Sequence, residues 1–190
     1  GFRRVLFRSA ATLSSDMDDT DKVQIFVSDT KHNGVQLLAP DVHASAWRFE
    51  PVYEAGKAAI RYGLGAVKGA GEAAVKHLLA ARSQGRFKHL FDLCKRVDRR
   101  IVNRRTLEAM IRAGALDEIE HDRARAFASV GLAMDEAEKS LASLGQESLF
   151  AEAFGQEPDQ STEMHYVKVP SWSERQRLQE EKLALGFFLS

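Results

Sequence analysis

The sequence has 190 residues, of which 44% are hydrophobic and 28% are charged, an ordinary balance for a soluble globular protein with one good core or two small ones. A single cysteine, Cys94, excludes an internal disulfide framework and a cysteine metal cluster, fits a reducing cytosol and is expected to pack in the core. No apolar run approaches the ~18 residues of a membrane span, and no convincing signal peptide is present, so we expect a cytoplasmic protein without a membrane partner.

The formal net charge is zero, but the charges are distributed unevenly along the chain. Residues 57–112 carry 14 basic and 4 acidic side chains, a net charge of +10. The segments before and after this basic block carry −2 and −8. Solvated basic faces are common, but a block of this kind is also the electrostatic footprint of a protein that binds a polyanion.

The first 47 residues are predicted to be helical and then extended. Residues 1–9 are basic and apolar by turns and relate to nothing downstream, so we interpret them as an artefact. A helix is predicted over residues 21–32, with Asp19 or Thr20 as its N-cap. A short buried strand is predicted at residues 35–38.

Two further strands are predicted at residues 47–50 and 58–62. Gly56 lies between them in a segment that can form a tight turn. The small hairpin leads directly into the glycine-rich stretch on which the functional interpretation rests.

That stretch is Lys68, Gly69, Ala70 and Gly71, and it separates two apolar helical segments. Two glycines one residue apart allow a positive φ and leave the backbone N–H groups uncovered by side chains. Such a turn before a helix N-terminus points N–H groups and a positive dipole end outward, which suits a phosphate. Lys68 and Lys76 flank it with positive charge. The alternative is an ordinary helical hairpin whose glycines serve only close packing.

The phosphate interpretation corresponds to a helix-hairpin-helix element that holds a nucleic-acid backbone without reading bases. A second, degenerate hairpin is predicted between residues 107 and 130. Asn103 can cap its first helix, Gly114 breaks that helix, and another helix begins near Asp122. Two stacked hairpins would bury their apolar faces in one unit.

The character of the chain changes after these hairpins. Residues 135–139 are predicted to be an acidic helix end, and residues 152–162 a linker without periodicity. Between them lies a pentapeptide, residues 146–150, of the pattern Gln-x-x-Leu-Phe. A last helix is predicted after Ser171 or Ser173.

In this last helix we expect two residues to be apolar contacts, Leu178 and Leu183, and two to face outward, Glu180 and Glu181. The chain then stops on the apolar run of residues 185–190, as if cut from something larger.

Seven blocks of sequence, taken together and in order, carry a family resemblance. They are residues 15–23, 40–42, 60–71, 90–94, 103–108, 113–117 and 185–190. The series resembles the alpha (polymerase) subunits of bacterial DNA polymerase III, the chromosomal replicase, from about residue 11 to residue 190. A colinear series is more specific than any one block.

The resemblance implies a mainly α-helical fold that contains a tandem helix-hairpin-helix domain and a small β-hairpin. Its implied layout is the end of a fingers-like region at residues 10–47, the duplex-binding hairpins at 48–134, a linker with a clamp-binding pentapeptide at 135–170, and the lead-in to an oligonucleotide-binding domain at 171–190. Lys68, Gly69, Ala70, Gly71 and Lys76 would contact the DNA backbone.

In the family, Gln146, Leu149 and Phe150 would be the anchors of the pentapeptide on the sliding clamp. The side-chain amide would fix the register and the two apolar side chains would enter a pocket. The alternative is that Leu149 and Phe150 only hold the linker against the preceding helices.

No catalytic residue or cofactor site is predicted within this chain. Two-metal phosphoryl transfer needs clustered carboxylates on a rigid platform, whereas the acids here lie in capping turns, in the linker or on helix faces. The six histidines lack ligand spacing. By resemblance, the parent protein is a DNA-directed DNA polymerase that uses Mg²⁺, has its catalytic palm upstream of residue 1, and works with other replicase subunits.

Two other interpretations stay open. The chain could be a free-standing helix-hairpin-helix module of a repair or recombination protein, although a complete domain would not leave residues 185–190 exposed. It could also be a helical interaction protein without nucleic acid. Salt-dependent binding to duplex DNA would exclude the last interpretation.

Overall fold

Seven α-helices and one three-stranded sheet make up the part of the chain that the computed structural model describes. The described residues are 2–54, 56–154 and 165–189, with the backbone alone for residues 2, 3, 5, 54 and 144–154. The helices are α1 (Phe2–Ser15), α2 (Thr20–His32), α3 (Glu72–Arg82), α4 (Leu90–Arg96), α5 (Arg104–Arg112), α6 (Arg123–Phe154) and α7 (Glu174–Leu185). The strands are β1 (Gln36–Leu38), β2 (Glu50–Glu54) and β3 (Lys57–Arg61). Within these ranges every helix is too short or too polar to cross a bilayer.

Helix α1 packs the first residues of the chain into the core. Leu6, Ala10 and Leu13 are spaced four and three residues apart, so they share one face of the helix, and all three are buried. The burial of Leu6 does not agree with the expectation that residues 1–9 relate to nothing downstream. Their interpretation as an artefact stays a prediction.

Helix α2 and strand β1 lie where the sequence predicts. Asp19 is the N-cap of α2, because its carboxylate accepts hydrogen bonds from the backbone N–H groups of Asp21 (3.2 Å) and Lys22 (3.3 Å). Asn33 is the C-cap, and the chain then enters β1. Local capping signals therefore determine both ends of this helix.

The sheet has the strand order β1-β3-β2. Strand β1 is parallel to β3, whereas β2 and β3 form the predicted antiparallel hairpin. The strand predicted at residues 47–50 is placed too early, because β2 begins at Glu50. The residues before it run alongside residues 64–65 instead, where the Trp47 carbonyl accepts a hydrogen bond from the Gly65 N–H at 2.9 Å.

Helices α5 and α6 form the second helical hairpin that the sequence predicts. Asn103 is the N-cap of α5, and its side-chain oxygen accepts a hydrogen bond from the Thr106 N–H at 3.0 Å. Gly114 follows α5 with φ +82°. Helix α6 begins one residue after Asp122, as expected.

Helix α6 is longer than predicted. The sequence predicts that this helix ends within residues 135–139, but it continues to Phe154, so that prediction is wrong. Residues 137–154 are mostly Ala, Leu, Glu, Gln and Ser without a proline, and their helix propensity outweighs the unfavourable acidic charges. Of the predicted linker at 152–162, residues 155–162 lie outside the described residues.

The return segment, which we define as residues 165–189, passes back over helices α4, α5 and α6. The Tyr166 hydroxyl accepts a hydrogen bond from the Leu90 N–H at 3.2 Å, and its ring meets Phe91 edge-on with ring centroids 5.1 Å apart. The Ser171 hydroxyl donates to the Asp122 carboxylate at 2.5 Å. Side-chain hydrogen bonds and aromatic contacts thus attach this segment before α7 begins.

Helix α7 has the predicted N-cap, Ser173, but buries a different face from the one predicted. Leu183 is 62% exposed, whereas Glu181 is only 2% exposed. The expectations for these two residues are therefore wrong. The cause is the buried guanidinium of Arg123, which needs negative partners and has the Glu181 carboxylate at 3.4 Å.

The apolar end of the chain is largely covered. Leu185 and Phe187 are buried, and the Phe187 ring lies 6.1 Å from that of Tyr62, which in turn meets Phe49 at 4.7 Å. This aromatic row joins the return segment to the residues around the sheet. The expected exposure of residues 185–190 is therefore wrong for these two side chains.

Candidate nucleic-acid interface

The glycine turn, residues 68–71, lies between a single 3-10 turn (Leu64–Ala66) and α3. Gly69 has φ +91°, a conformation that residues with a side chain rarely adopt. Gly71 is the N-cap of α3 with an extended backbone (φ −68°, ψ 151°), and it offers no side-chain cap. The N–H groups of the first turn of α3 are therefore not capped by that residue, as the sequence predicts.

Two earlier glycines allow a close backbone approach. A Cβ atom at Gly63 would lie 2.6 Å from the Arg48 carbonyl carbon, and one at Gly65 would lie 2.7 Å from the Trp47 ring. Close packing, the alternative role for glycines in this stretch, therefore applies to Gly63 and Gly65. The positive φ at Gly69 needs a different explanation.

Lys68 opens the glycine turn with an exposed side chain. Its backbone N–H donates a hydrogen bond to the Ala184 carbonyl of α7 at 2.8 Å, so the position of its peptide group is fixed from outside the hairpin. In the part of the chain that the structure describes, no ion pair involves Lys68. Its ammonium group is accordingly available to a phosphate.

Lys76 has a different environment from Lys68. Its ammonium group pairs with the Glu72 carboxylate one helical turn earlier at 2.6 Å, and both side chains are exposed. This hydrogen bond and the charge of Lys76 lower the pKa of Glu72, and the nearby Arg48 lowers it further. Glu72 is therefore ionised at the N-terminus of α3, where it partly offsets the positive charge that a phosphate would meet.

Arg105 is a candidate contact that the sequence analysis did not single out. It lies four residues, or one helical turn, before Ala109 on α5, and a Cβ atom at Gly69 would lie 3.4 Å from that of Ala109. Arg105 is exposed, and the described residues provide it with no ion-pair partner. Arg105 is a candidate because α5 contacts the glycine turn at Ala109. This packing joins segments that are distant in the sequence, so local pattern gave no signal for it.

The turn of the second hairpin is occupied by a side chain of the protein itself. The Arg123 guanidinium donates to both carboxylate oxygens of Asp117 at 2.8 and 2.7 Å and to the Arg112 carbonyl at 3.3 Å. It fills the space beside Gly114, where an added Cβ atom would collide with it. The second turn therefore has a structural role, and the two hairpins are not equivalent.

Acidic residues from the C-terminal part offset some of the charge of the basic block. Three arginines of the block form ion pairs with glutamates of residues 113–190: Arg86 with Glu118, Arg99 with Glu138, and Arg112 with Glu180. The net charge of residues 57–112 therefore overstates the positive potential at the surface.

One cluster of side chains has the composition of a metal site, but its ligand atoms are engaged in hydrogen bonds and ion pairs within the protein. The ligand atoms of Asp41, His43 and Glu118 lie within 4.8 Å of one another. However, His43 Nε2 accepts the Phe87 N–H at 3.0 Å, so the proton is on Nδ1, which lies 3.1 Å from Glu118. Arg86 also contacts that carboxylate. These residues do not fit the Mg²⁺ that the resemblance implies for the parent polymerase, because Mg²⁺ favours free oxygen ligands.

The predicted clamp-binding residues lie in the C-terminal part of α6. The backbone of residues 146–150 is helical. The side chains of Gln146, Leu149 and Phe150 lie outside the described residues. Their role therefore stays a prediction.

A comparison with protein families identifies the class to which this geometry corresponds. A family model described as a helix-hairpin-helix motif matches residues 34–126, which include the sheet, the glycine turn, α3 to α5 and the first residues of α6. The chain therefore contains a helix-hairpin-helix region of the kind that the sequence predicts.

Curated relatives extend the similarity to nearly the whole chain. The chain is 45% identical over 182 residues to DNA polymerase III subunit alpha of Neisseria meningitidis serogroup B. It is 40% identical over 190 residues to the alpha subunit of Vibrio cholerae and 36% identical over 184 residues to that of Escherichia coli K12. Each match covers 95% of this chain and 15% of the relative. The chain is thus related to one segment of the DNA polymerase III alpha subunits, and it spans about one seventh of their length.

Proposed function

We propose that this chain is part of a replicative DNA polymerase alpha subunit and that it holds duplex DNA by the phosphate backbone, without reading the sequence. The observation that carries the proposal is the glycine turn, where Gly69 has a positive φ and the N-terminus of α3 follows without a side-chain cap. Exposed Lys68 and Arg105 add positive charge near it. Backbone N–H groups and basic side chains of this kind contact phosphates, which carry no sequence information, and this supports binding without base reading.

The extent of the similarity favours a polymerase segment over a free-standing module. The helix-hairpin-helix model matches residues 34–126, whereas similarity to the alpha subunits covers 95% of the chain. A module that shared only the hairpins would not be expected to match on both sides of them. The DNA-directed polymerase activity, its Mg²⁺ and its other replicase subunits belong to the proposed parent protein.

Fluorescence anisotropy with two short duplexes of equal length and unrelated sequence tests the DNA proposal. We expect equal affinities and a linear decrease of log K with log salt, because phosphate contacts release counterions. Lys68→Ala should lower the magnitude of the salt slope by about one unit. Lys76→Ala should have a smaller effect, because Glu72 already pairs with that side chain. Lys31→Ala, outside the basic block, is the matched control.

Absence of binding by the wild-type chain would contradict the proposal, and so would a strong preference for one duplex. Full affinity and an unchanged salt slope in the Lys68→Ala/Lys76→Ala double variant would show that the glycine turn is not the contact. In that case the remaining basic residues would have to be tested in the same assay.

We further propose that residues 146–150 tether the parent enzyme to the sliding clamp. The Gln-x-x-Leu-Phe pattern and the similarity to alpha subunits support this role. Short segments bind through a few anchors, so Leu149→Ala/Phe150→Ala should remove roughly 2–4 kcal/mol of binding free energy, enough to abolish a micromolar contact. Clamp binding and the melting temperature are measured together. A lowered melting temperature with clamp binding intact would mean that these residues only stabilise the fold.

A further inference from the structure

The C-terminal end of α7 lies directly against the glycine turn. The Ala184 carbonyl accepts the hydrogen bond from the Lys68 N–H, at 2.8 Å. Gly186 follows with φ +89°, and a Cβ atom there would lie 3.4 Å from the Lys68 Nζ atom and collide with the Thr20 side chain. Helices α2 and α7 and the glycine turn therefore meet at one point. The peptide group between Val67 and Lys68, at the start of the glycine turn, is held by a helix more than 100 residues later in the chain.

Buried charges attach α7 at this place. The side chains of Arg123 and Glu181 are 9% and 3% exposed and lie 3.4 Å apart. Glu181 also accepts a hydrogen bond from the Leu189 N–H at 2.7 Å, beyond the end of α7. A more exposed pair, Arg112 with Glu180 at 2.7 Å, lies beside it. Arg123 also pairs with Asp117, so it keeps a partner if Glu181 is replaced, but Asp117 does not belong to α7. Glu181 is the α7 residue that joins both Arg123 and the Leu189 N–H through one buried carboxylate, so we expect docking to depend on it.

We propose that α7 is a positioning element for the glycine turn: docked through Glu181, it holds Lys68 in place and so raises the affinity of the chain for duplex DNA. This inference rests on the proposed function. Glu181 itself is buried and does not contact DNA. Its effect passes through the Ala184–Lys68 hydrogen bond to the backbone that presents N–H groups to a phosphate.

Replacing Glu181 distinguishes a positioning role from a purely electrostatic one, because the two predict opposite changes in DNA affinity. Glu181→Gln removes one negative charge, and general electrostatics would then strengthen binding to DNA. Loss of α7 docking would weaken it. Glu174→Gln is the matched control, since it makes the same change of charge at an exposed position of the same helix.

The measurement is duplex affinity of the full chain as a function of salt concentration. For Glu181→Gln we expect about a fivefold or greater loss of affinity, the lower end of typical coupling between sites. The salt slope should not change, because the same phosphates are contacted, which distinguishes a positioning residue from Lys68 itself. Glu174→Gln should bind as tightly as the wild type or slightly more tightly.

Hydrogen exchange of the wild-type chain provides a second test that needs no variant. Coupling is reciprocal, so saturating duplex DNA should slow amide exchange in peptides that cover α7. If circular dichroism shows that Glu181→Gln is unfolded, this measurement alone tests whether α7 docking is coupled to DNA binding.

The outcomes separate the two proposals. A folded Glu181→Gln chain that binds DNA as tightly as the wild type overturns the role of α7 and leaves the DNA proposal intact. Unchanged exchange in α7 on DNA binding overturns it as well. If the wild-type chain does not bind duplex DNA, both proposals are wrong.

Discussion

Gly69 and Gly71 are equivalent in the sequence pattern but not in the structure. Only Gly69 has a positive φ, and Gly71 has an extended backbone with open space around the position of a Cβ atom. We therefore expect Gly69→Ala to destabilise the chain by about 1–2 kcal/mol and to weaken duplex binding. Gly71→Ala should cost only about 0.5 kcal/mol as an N-cap change and retain most of the binding.

Urea unfolding and fluorescence anisotropy on the two variants check this prediction. The Gly-x-Gly pattern treats the two glycines alike, and only their conformations distinguish them. Equal losses in both variants would show that the N–H groups need both glycines. A Gly69→Ala variant with full affinity would remove the phosphate role of the turn.

Cys94 is expected to be chemically inert in the folded chain. It is 5% exposed, which confirms the expected packing role, and burial raises the pKa of its thiol to about 12. Because the thiolate is the reactive form, iodoacetamide at pH 8 should leave Cys94 unmodified in native protein and label it fully in urea. Mass spectrometry gives the extent of labelling. Rapid labelling without denaturant would mean that α4 opens often.

At the scale of elements, three histidine rings hold the segment around α4. Each ring accepts a backbone N–H at 3.0 Å: His43 from Phe87, His89 from Asp92, and His77 from Asp98. These hydrogen bonds attach backbone positions before, within and after α4 to side chains. A protonated imidazole cannot accept a hydrogen bond, so acid should weaken the N-cap that His89 provides.

The pKa of His89 determines in which direction the free energy of unfolding changes with pH. Burial lowers the pKa of His89, Lys95 and Lys88 lower it further, and Asp92 opposes them. The folded pKa lies below the ordinary value of about 6.5, so the stabilisation is complete above that pH and is lost as the pH falls through the folded pKa. We expect the free energy of unfolding to decrease from pH 7.5 to 5.5.

The variant His89→Asn isolates this contribution, because asparagine is a good N-cap that does not titrate here. Urea unfolding at both pH values should show a smaller decrease for the variant, by about 0.5–1 kcal/mol, the size of one capping interaction. An identical decrease in both proteins would contradict the role assigned to His89.

The elements that the sequence predicts well are those with local signals. Asp19, Asn103 and Ser173 cap the helices that follow them, because the groups that form a cap are only two or three residues apart. The buried face of α7 could not be predicted in this way. Glu181 is buried because Arg123, 58 residues earlier, needs a partner, and no local pattern records that need.

The candidate site shows the same limit. The glycine turn and Lys68 follow from the sequence, since a Gly-x-Gly pattern before a helix is local. Arg105 becomes a candidate only because its helix, α5, contacts Gly69 through Ala109. The docking of Ala184 on Lys68 likewise depends on the return segment, which is distant in the chain.

At the scale of the whole molecule, contacts cross the boundary that the resemblance implies at residue 47. Strand β1 lies before it and pairs with β3 after it. The Val42 N–H donates to the Ala115 carbonyl at 2.8 Å, and the Arg82 guanidinium donates to the carbonyls of Val42 (2.9 Å) and Ser45 (2.6 Å). We therefore expect residues on both sides of this boundary to unfold together.

The two tryptophans report on separate parts of this unit. Trp47 packs on Gly65 beside the sheet, and Trp172, in the return segment, lies 5.7 Å from the Phe127 ring of α6. Trp172→Phe leaves only the first as a fluorescent probe, and Trp47→Phe leaves only the second. For each variant, the urea midpoint measured by tryptophan fluorescence is compared with the midpoint measured by far-ultraviolet circular dichroism. Both midpoints come from the same variant, so any change in stability caused by the substitution cancels.

We expect the fluorescence and dichroism midpoints to coincide in each variant, because buried contacts of the return segment, including Glu181 with Arg123 and Phe187 with Tyr62, connect it to the rest of the core. A return segment that detached first would give a Trp172 midpoint at lower urea than the dichroism midpoint, while Trp47 still agreed with it. That result would contradict a single cooperative unit. It would also limit how strongly α7 can position Lys68. A segment that opens independently holds the glycine turn only for the fraction of time that it is docked.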